Sequence, residues 1–221
     1  MNASRQIIVI GDSHSRSFGG SDYFISIFQG VGKINNFTNK NVAKTTERSL
    51  LQIMSHFKKD DYFFLAFGEP DCRWSTYDSW HPSIPVKNPK NKIFNSISNF
   101  KKSILKIKSS YKNLIIYNVA PHTRGDQNET NQIWNKNIST FCEENDLFFC
   151  DIYDEVLNDL DSHLVELGGN RGTDPVHLGN SIQELVIKKL QITKKLKKII
   201  MDSPRFKFDE SFKCFVRVFR I

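Results

Sequence analysis

The chain has 221 residues, of which 39% are apolar, 25% charged and 12% aromatic. That is enough for the core of one ordinary domain, and it excludes the disordered, collagenous and disulfide-miniprotein classes. The formal charge is +7, which taken alone points to an acidic partner, but residues 187–221 hold eleven Lys/Arg against three Asp/Glu and residues 1–186 sum to −1.

Short apolar runs alternate with amphipathic stretches, the pattern of a parallel sheet covered by helices on both faces. Gln6–Ile10 reads as a buried strand ending at Gly11, and Val31–Ile34 as a weak second strand. Thr45, Thr46 and Glu47 cap a helix whose apolar positions Leu50, Leu51, Ile53, Met54 and Phe57 follow a helical period. Tyr62–Phe67 is a third, wholly apolar strand ending at Gly68. An irregular connection from Glu69 to Lys92 is expected next, rich in Pro, Trp, Ser and Asp and carrying the rings of Trp74, Tyr77, Trp80 and His81. A helix over Phe94–Ile107, a strand over Leu114–Val119, a helix over Thr130–Asn145 and a strand over Leu147–Cys150 follow. After a Gly-rich segment comes a last helix, Leu178 to about Leu196, and then a basic, Phe-rich tail that suggests one or two short strands. The expected fold is α/β: a flavodoxin-like three-layer α/β/α domain with a five-stranded parallel sheet over residues 1–196. Residues 197–221 form a C-terminal extension packed on it, and ligands bind at the carboxyl ends of the strands.

The four apolar residues at the N-terminus are too few for a signal-peptide core, and no run approaches the ~20 needed to span a bilayer. Cys72, Cys142, Cys150 and Cys214 form no C-x-x-C pair and no zinc-type cluster. A cytoplasmic setting is the expectation, with no nucleic-acid partner.

Two motifs carry chemistry. Gly11-Asp12-Ser13-His14-Ser15 leaves the first strand, where a serine on the turn into a helix presents its hydroxyl at the site end of the sheet. The same tripeptide is also ordinary turn chemistry, in which Asp caps a helix. Asp174-Pro175-Val176-His177 stands before the last helix, and an aspartate three residues from a histidine can orient its imidazole toward a hydroxyl. Together they suggest Ser13, His177 and Asp174 as nucleophile, general base and orienting carboxylate.

On the blocks IIVIGDSHS, FLAFGEPDCR and DPVHL, the chain from residue 6 to about 196 resembles the SGNH, or GDSL-like, hydrolase superfamily. The resemblance implies ester hydrolysis or acyl transfer on a small acyl ester or saccharide, with no metal and no organic cofactor. It also implies an oxyanion hole from the serine N–H, a glycine after the second strand (Gly30 or Gly32) and an asparagine after the third. The run G-E-x-D-C-R with GDSHS is similar to a subgroup associated with bacterial surface-polysaccharide clusters.

The chain departs from that pattern at Gly68-Glu69-Pro70-Asp71, where Pro70 occupies the asparagine position. Proline offers neither a side-chain donor nor an N–H, and one lost oxyanion donor costs roughly 10²–10³ in rate. Arg73 is the nearest substitute in sequence, with an ion pair to Asp71 or Glu69 as the competing role. His14 is expected at the cleft rim, contacting substrate or capping locally. His122 follows the fourth strand as a supporting or anion-binding group. Gly68, Glu69, Asp71, Arg73, His14 and His122 are thus the further candidates for the oxyanion and substrate site.

Overall fold

The pleat of the first strand sorts its side chains into two cores. In a computed structural model of the chain, which describes residues 5–21, 23–29, 46–76, 85–123, 125–166 and 173–192, strand β1 (Ile7–Gly11) is buried along its length. Ile8 and Ile10 enter one apolar cluster, and Ile7 and Val9 enter the other. β2 (Phe24–Phe28), β3 (Tyr62–Ala66), β4 (Leu114–Tyr117) and β5 (Phe148–Cys150) complete a parallel sheet in the order β2-β1-β3-β4-β5. This is the flavodoxin-like order, and its switch point, where ligand crevices form, lies between β1 and β3.

Helices α1 (Thr46–Met54), α2 (Glu69–Thr76), α3 (Pro89–Lys108) and α4 (Gly125–Glu144) supply Leu50, Cys72, Phe100 and Trp134 to the first cluster. On the opposite face lie α5 (Tyr153–Asn158), the short α6 (Leu160–His163) and α7 (Ile182–Ile192), with Val156, Ile182, Val186 and Leu190 packed beside Phe18 and Phe64. The result is the expected three-layer α/β/α domain with a five-stranded parallel sheet. Cys72, Cys142 and Cys150 are free and buried, and burial pushes all three thiols above their ordinary range, Cys142 to about 12. Among the described residues, no helix is long and apolar enough to cross a membrane.

Four expectations are corrected. The second strand of the sheet is Phe24–Phe28, because the segment after β1 is only a six-residue 3₁₀ helix, Ser13–Phe18, and the chain returns to the sheet early; Val31–Ile34, read as that strand, lies outside the described residues. Glu69 to Thr76 is helix rather than irregular loop. Pro70 stands in its first turn, where a missing N–H leaves no helical bond unmade. The segment before the last helix contains a two-stranded antiparallel ribbon, β6 (Leu164–Glu166) and β7 (Thr173–Leu178), so Leu178 belongs to a strand and α7 begins at Ile182. Helices α3 and α4 each start about five residues before their apolar periodicity does, since a first turn need not touch the core. Gly30, Gly32, Tyr77, Trp80, His81 and the extension 197–221 with its expected strands lie outside the described residues.

Two glycines set the approach of chain segments at the switch point. A Cβ on Gly11 would lie 2.1 Å from the Ala66 carbonyl oxygen. Gly68 has φ +121, and a Cβ there would meet the Trp134 ring at 2.7 Å. Gly11→Ala is therefore expected to lower stability by about 1–3 kcal/mol in urea unfolding. Gly125→Ala, at a helix start with nothing within 4 Å, is expected to change it by less than about 0.5 kcal/mol.

Candidate active site

The turn after β1 is built by backbone bonds. The Asp12 N–H donates to the Ala66 carbonyl at 3.0 Å, which carries the chain over the end of β3. Asp12 then caps the 3₁₀ helix, its Oδ1 accepting from the His14 N–H at 3.0 Å. Ser15 Oγ donates to the Asp12 carbonyl at 2.8 Å and to Ile27 at 3.2 Å, tying the turn to β2. Ser13 is left as the first residue of the turn at the carboxyl end of the sheet.

The second motif reaches Ser13 through an irregular ribbon. A regular strand would put residues 174 and 177 on opposite faces. Here the pairing advances two residues along β6, from Leu164 to Glu166, against five along β7, from Leu178 to Thr173. The slack is closed by Asp174 Oδ1, which accepts from the N–H groups of Val176 at 2.8 Å and His177 at 3.1 Å. Asp174 Oδ2 then stands 2.8 Å from His177 Nδ1, and His177 Nε2 stands 2.8 Å from Ser13 Oγ. Partial burial pushes the Asp174 carboxyl up, but the Val176 N–H, the imidazole and the His177 N–H outweigh it and hold the group below its ordinary value. A carboxylate, an imidazole and a hydroxyl thus form one hydrogen-bonded chain.

The two motifs are joined by more than this chain. Ser17 Oγ donates to the Leu178 carbonyl, and the Gln183 side-chain amide on α7 donates to the Ser17 carbonyl at 2.7 Å. His14 is not at the cleft rim: it is 5% exposed, with Nδ1 3.2 Å from Asp12 Oδ1 and Nε2 3.0 Å from the Val176 carbonyl. Both partners are acceptors, so both ring nitrogens donate and the ring is an imidazolium. Burial disfavours that charge, but the hydrogen bond and charge of Asp12, aided by Glu69, raise its pKa to about 9. With both nitrogens spent on protein atoms, His14 has no donor left for a substrate.

Residues at the head of α2 form a separate cluster. Glu69 is 3% exposed and accepts from His122 Nε2 at 3.2 Å and from Arg73 Nη2 at 3.4 Å. Arg73 Nε lies 3.0 Å from Glu69 Oε1, but out of line for a hydrogen bond, and the guanidinium also sits over the Trp74 ring. Burial pushes the Glu69 carboxyl up, yet the His122 hydrogen bond and the charges of His14 and Arg73 hold it below the ordinary carboxylate range. Asp71 turns to α3 instead, accepting from Ser96 Oγ at 3.0 Å. Arg73 therefore pairs with Glu69, and Asp71 is drawn into helix packing. The Gly68 carbonyl accepts from the Cys72 N–H at 3.0 Å, as the start of α2.

The motifs alone did not disclose Ser17, Gln183 or the Val176 carbonyl, whose partners lie 161 to 166 residues away in the chain. Asp12 as counter-ion to His14 had a signal, the Asp-x-His spacing. Among the described residues, no group of three or more His, Cys, Asp or Glu could hold a metal ion.

No protein-family model matches the chain. No curated protein matches it either. Solved structures do. A member of the lipolytic G-D-S-L family from Veillonella parvula superposes with TM-score 0.53 at 14% identity, over 87% of this chain and 99% of that one. A carbohydrate acetylesterase from Sinorhizobium meliloti gives 0.54 at 12%, over 89% and 100%. A catalytic mutant of an acetylxylan esterase from Geobacillus stearothermophilus gives 0.52 at 15%, over 90% and 95%. The chain has the fold of the SGNH, or GDSL-like, hydrolases.

Glu69→Gln removes the counter-charge of Arg73 and the carboxylate that His122 Nε2 meets. With Arg73 partly in solvent, the expected loss is about 1–3 kcal/mol at pH 7. Because the folded Glu69 carboxyl titrates below its unfolded value, its contribution is complete above the unfolded value of about 4.3. It fades as pH falls through the lower folded one. Urea unfolding between about pH 7 and 3 is expected to show that acid-side loss in the wild type, and a smaller one in Glu69→Gln.

Proposed function

We propose that the protein is a serine-dependent ester hydrolase or O-acyltransferase that removes a small acyl group, acetyl first among them, from a carbohydrate or other small ester. The observation that carries this reading is the hydrogen-bonded chain from Asp174 through His177 to Ser13, with 2.8 Å at each link. In support, the same fold occurs in acetyl esterases of carbohydrates. The catalytic mutants of the Geobacillus esterase replace a serine, and an aspartate and histidine three positions apart, the spacing of Asp174 and His177.

In this mechanism Ser13 Oγ attacks the acyl carbonyl carbon while its proton passes to His177 Nε2. The tetrahedral oxyanion collapses, the ester C–O bond breaks, and the leaving alkoxide takes the proton from His177. Water or a second hydroxyl then gives its proton to His177 and attacks the acyl-serine; the bond from the acyl carbon to Ser13 Oγ breaks, and His177 returns the proton to Ser13 Oγ. Asp174 holds the Nδ1–H tautomer and balances the imidazolium; its depressed pKa keeps it ionised throughout. The Ser13 N–H serves as an oxyanion donor, and the family resemblance assigns a second to Gly30 or Gly32.

A second reading, a catalytically weakened binding module on this fold, is favoured by one observation. Pro70 can donate nothing, and Arg73, its nearest substitute, is engaged with Glu69. The readings separate on purified protein. The enzyme reading expects p-nitrophenyl acetate hydrolysis, fluorophosphonate labelling confined to Ser13, and a fall in kcat of at least about 10⁴-fold in Ser13→Ala. Asp174→Asn is expected to lose about 10³–10⁴-fold. Wild-type hydrolysis no faster than Ser13→Ala, with no labelling, supports the binding module.

A further inference from the structure

His14 follows Ser13 and Val176 precedes His177, so the bond from His14 Nε2 to the Val176 carbonyl runs beside the bond between Ser13 and His177, one residue away on the 3₁₀ turn and one on β7. The other end of the His14 ring is held by Asp12, whose carboxylate also caps the turn that carries Ser13. The His14 ring lies against the His177 ring, centroids 5.3 Å apart and planes 29° from parallel. A buried ring that touches both halves of the site, and that must carry two protons to do so, is more than a packing residue.

We propose that His14 is a positioning residue, a charged clasp that holds the backbone beside His177, and so the His177 imidazole, at Ser13, and that lets go when it loses its proton. The inference rests on the proposed roles of Ser13 and His177. As a neutral ring His14 donates through one nitrogen only. The Asp12 carboxylate is the stronger acceptor, so the Val176 carbonyl is the partner released. The groups facing His14 are Asp12 from its own turn, Glu69 from the head of α2, and His177 from β7 with Asp174 behind it. Glu69 is itself offset by Arg73 and His122. During turnover, two stacked imidazoliums are each matched by a carboxylate, Asp12 and Asp174. The charges around it raise the His14 pKa from 6.5 to about 9, so the clasp is closed at neutral pH and opens as pH rises through the higher value; the stability it adds is full below the lower value and is lost through the higher.

The test is a titration of ¹⁵N-labelled protein from about pH 6 to 10, following the ring signals of His14 and His177, with the rate of fluorophosphonate labelling of Ser13 measured alongside. Both His14 nitrogens are expected to be protonated at neutral pH, with a midpoint near 9. The His177 signals should move, and labelling should slow several-fold, with that same midpoint. In His14→Gln, labelling is expected to be several-fold slower at neutral pH and to lack the fall near 9. A His14 ring with a single proton at neutral pH overturns the proposal. So do His177 signals indifferent to the His14 midpoint, or an alkaline fall that persists in His14→Gln. If Ser13 is never labelled, the proposed reaction has failed, and the two ring titrations still decide the clasp. If His14→Gln does not fold, the wild-type titration decides it.

Discussion

The Asp12 N–H reaches the Ala66 carbonyl because residue 11 carries no side chain; a single added carbon would sit 2.1 Å from that oxygen. This contact closes the gap between β1 and β3 at the point where the strand order reverses. It turns the chain sharply enough for Asp12 to cap the next turn, and it puts Ser13 at the carboxyl edge of the sheet. Gly68 does the equivalent work at the end of β3, where its positive φ and the Trp134 ring beneath it leave no room for a side chain. The site is assembled where two backbone segments approach more closely than side chains permit.

Around that point, buried charge is neutralised in pairs. Asp12 faces His14, Glu69 faces His122 and Arg73, and Asp174 faces His177. An unpaired ion in these positions would cost several kcal/mol, and each of these three acids has a base beside it. The pairs differ in exposure. Those of Asp12 and Glu69 are nearly closed to solvent apart from the outer part of Arg73, whereas Asp174 and His177 keep about a quarter and a third of their side chains accessible. Of these three pairs the Asp174–His177 pair is the most open to solvent, which is why the proposed chemistry is given to it and support to the others.

The overall charge acquires a different meaning in this setting. The excess over neutrality lies wholly beyond residue 186, after both motifs, so the +7 says little about the cleft. Pro70 has a double aspect. In the first turn of α2 it fits the backbone, while at the position where the family resemblance expects an oxyanion donor it has no donor to offer. A residue well suited to its local structure can thus be the weak point of the site's chemistry.

Much of this was legible in the chain. Four of the five apolar runs, the glycines ending the first and third, and the Asp-x-x-His block are local signals, because strand burial, sharp turns and Asp–His proximity depend on neighbours a few residues apart. The three-layer parallel fold followed from them. The place of β2 and the start of α2 did not: an apolar run interrupted by Ser26 and a helix opening on Glu69-Pro70 look like turn and loop when read by periodicity alone. Nor could the sequence show that the slack in β7 brings Asp174 and His177 to one side, that Arg73 turns to Glu69, or that His14 spans Asp12 and Val176. The last rests on a hydrogen bond between groups 162 residues apart, the first on how β7 pairs with β6, and the second on burial that forces the Glu69 charge to find a partner; all three exist only once the chain has folded.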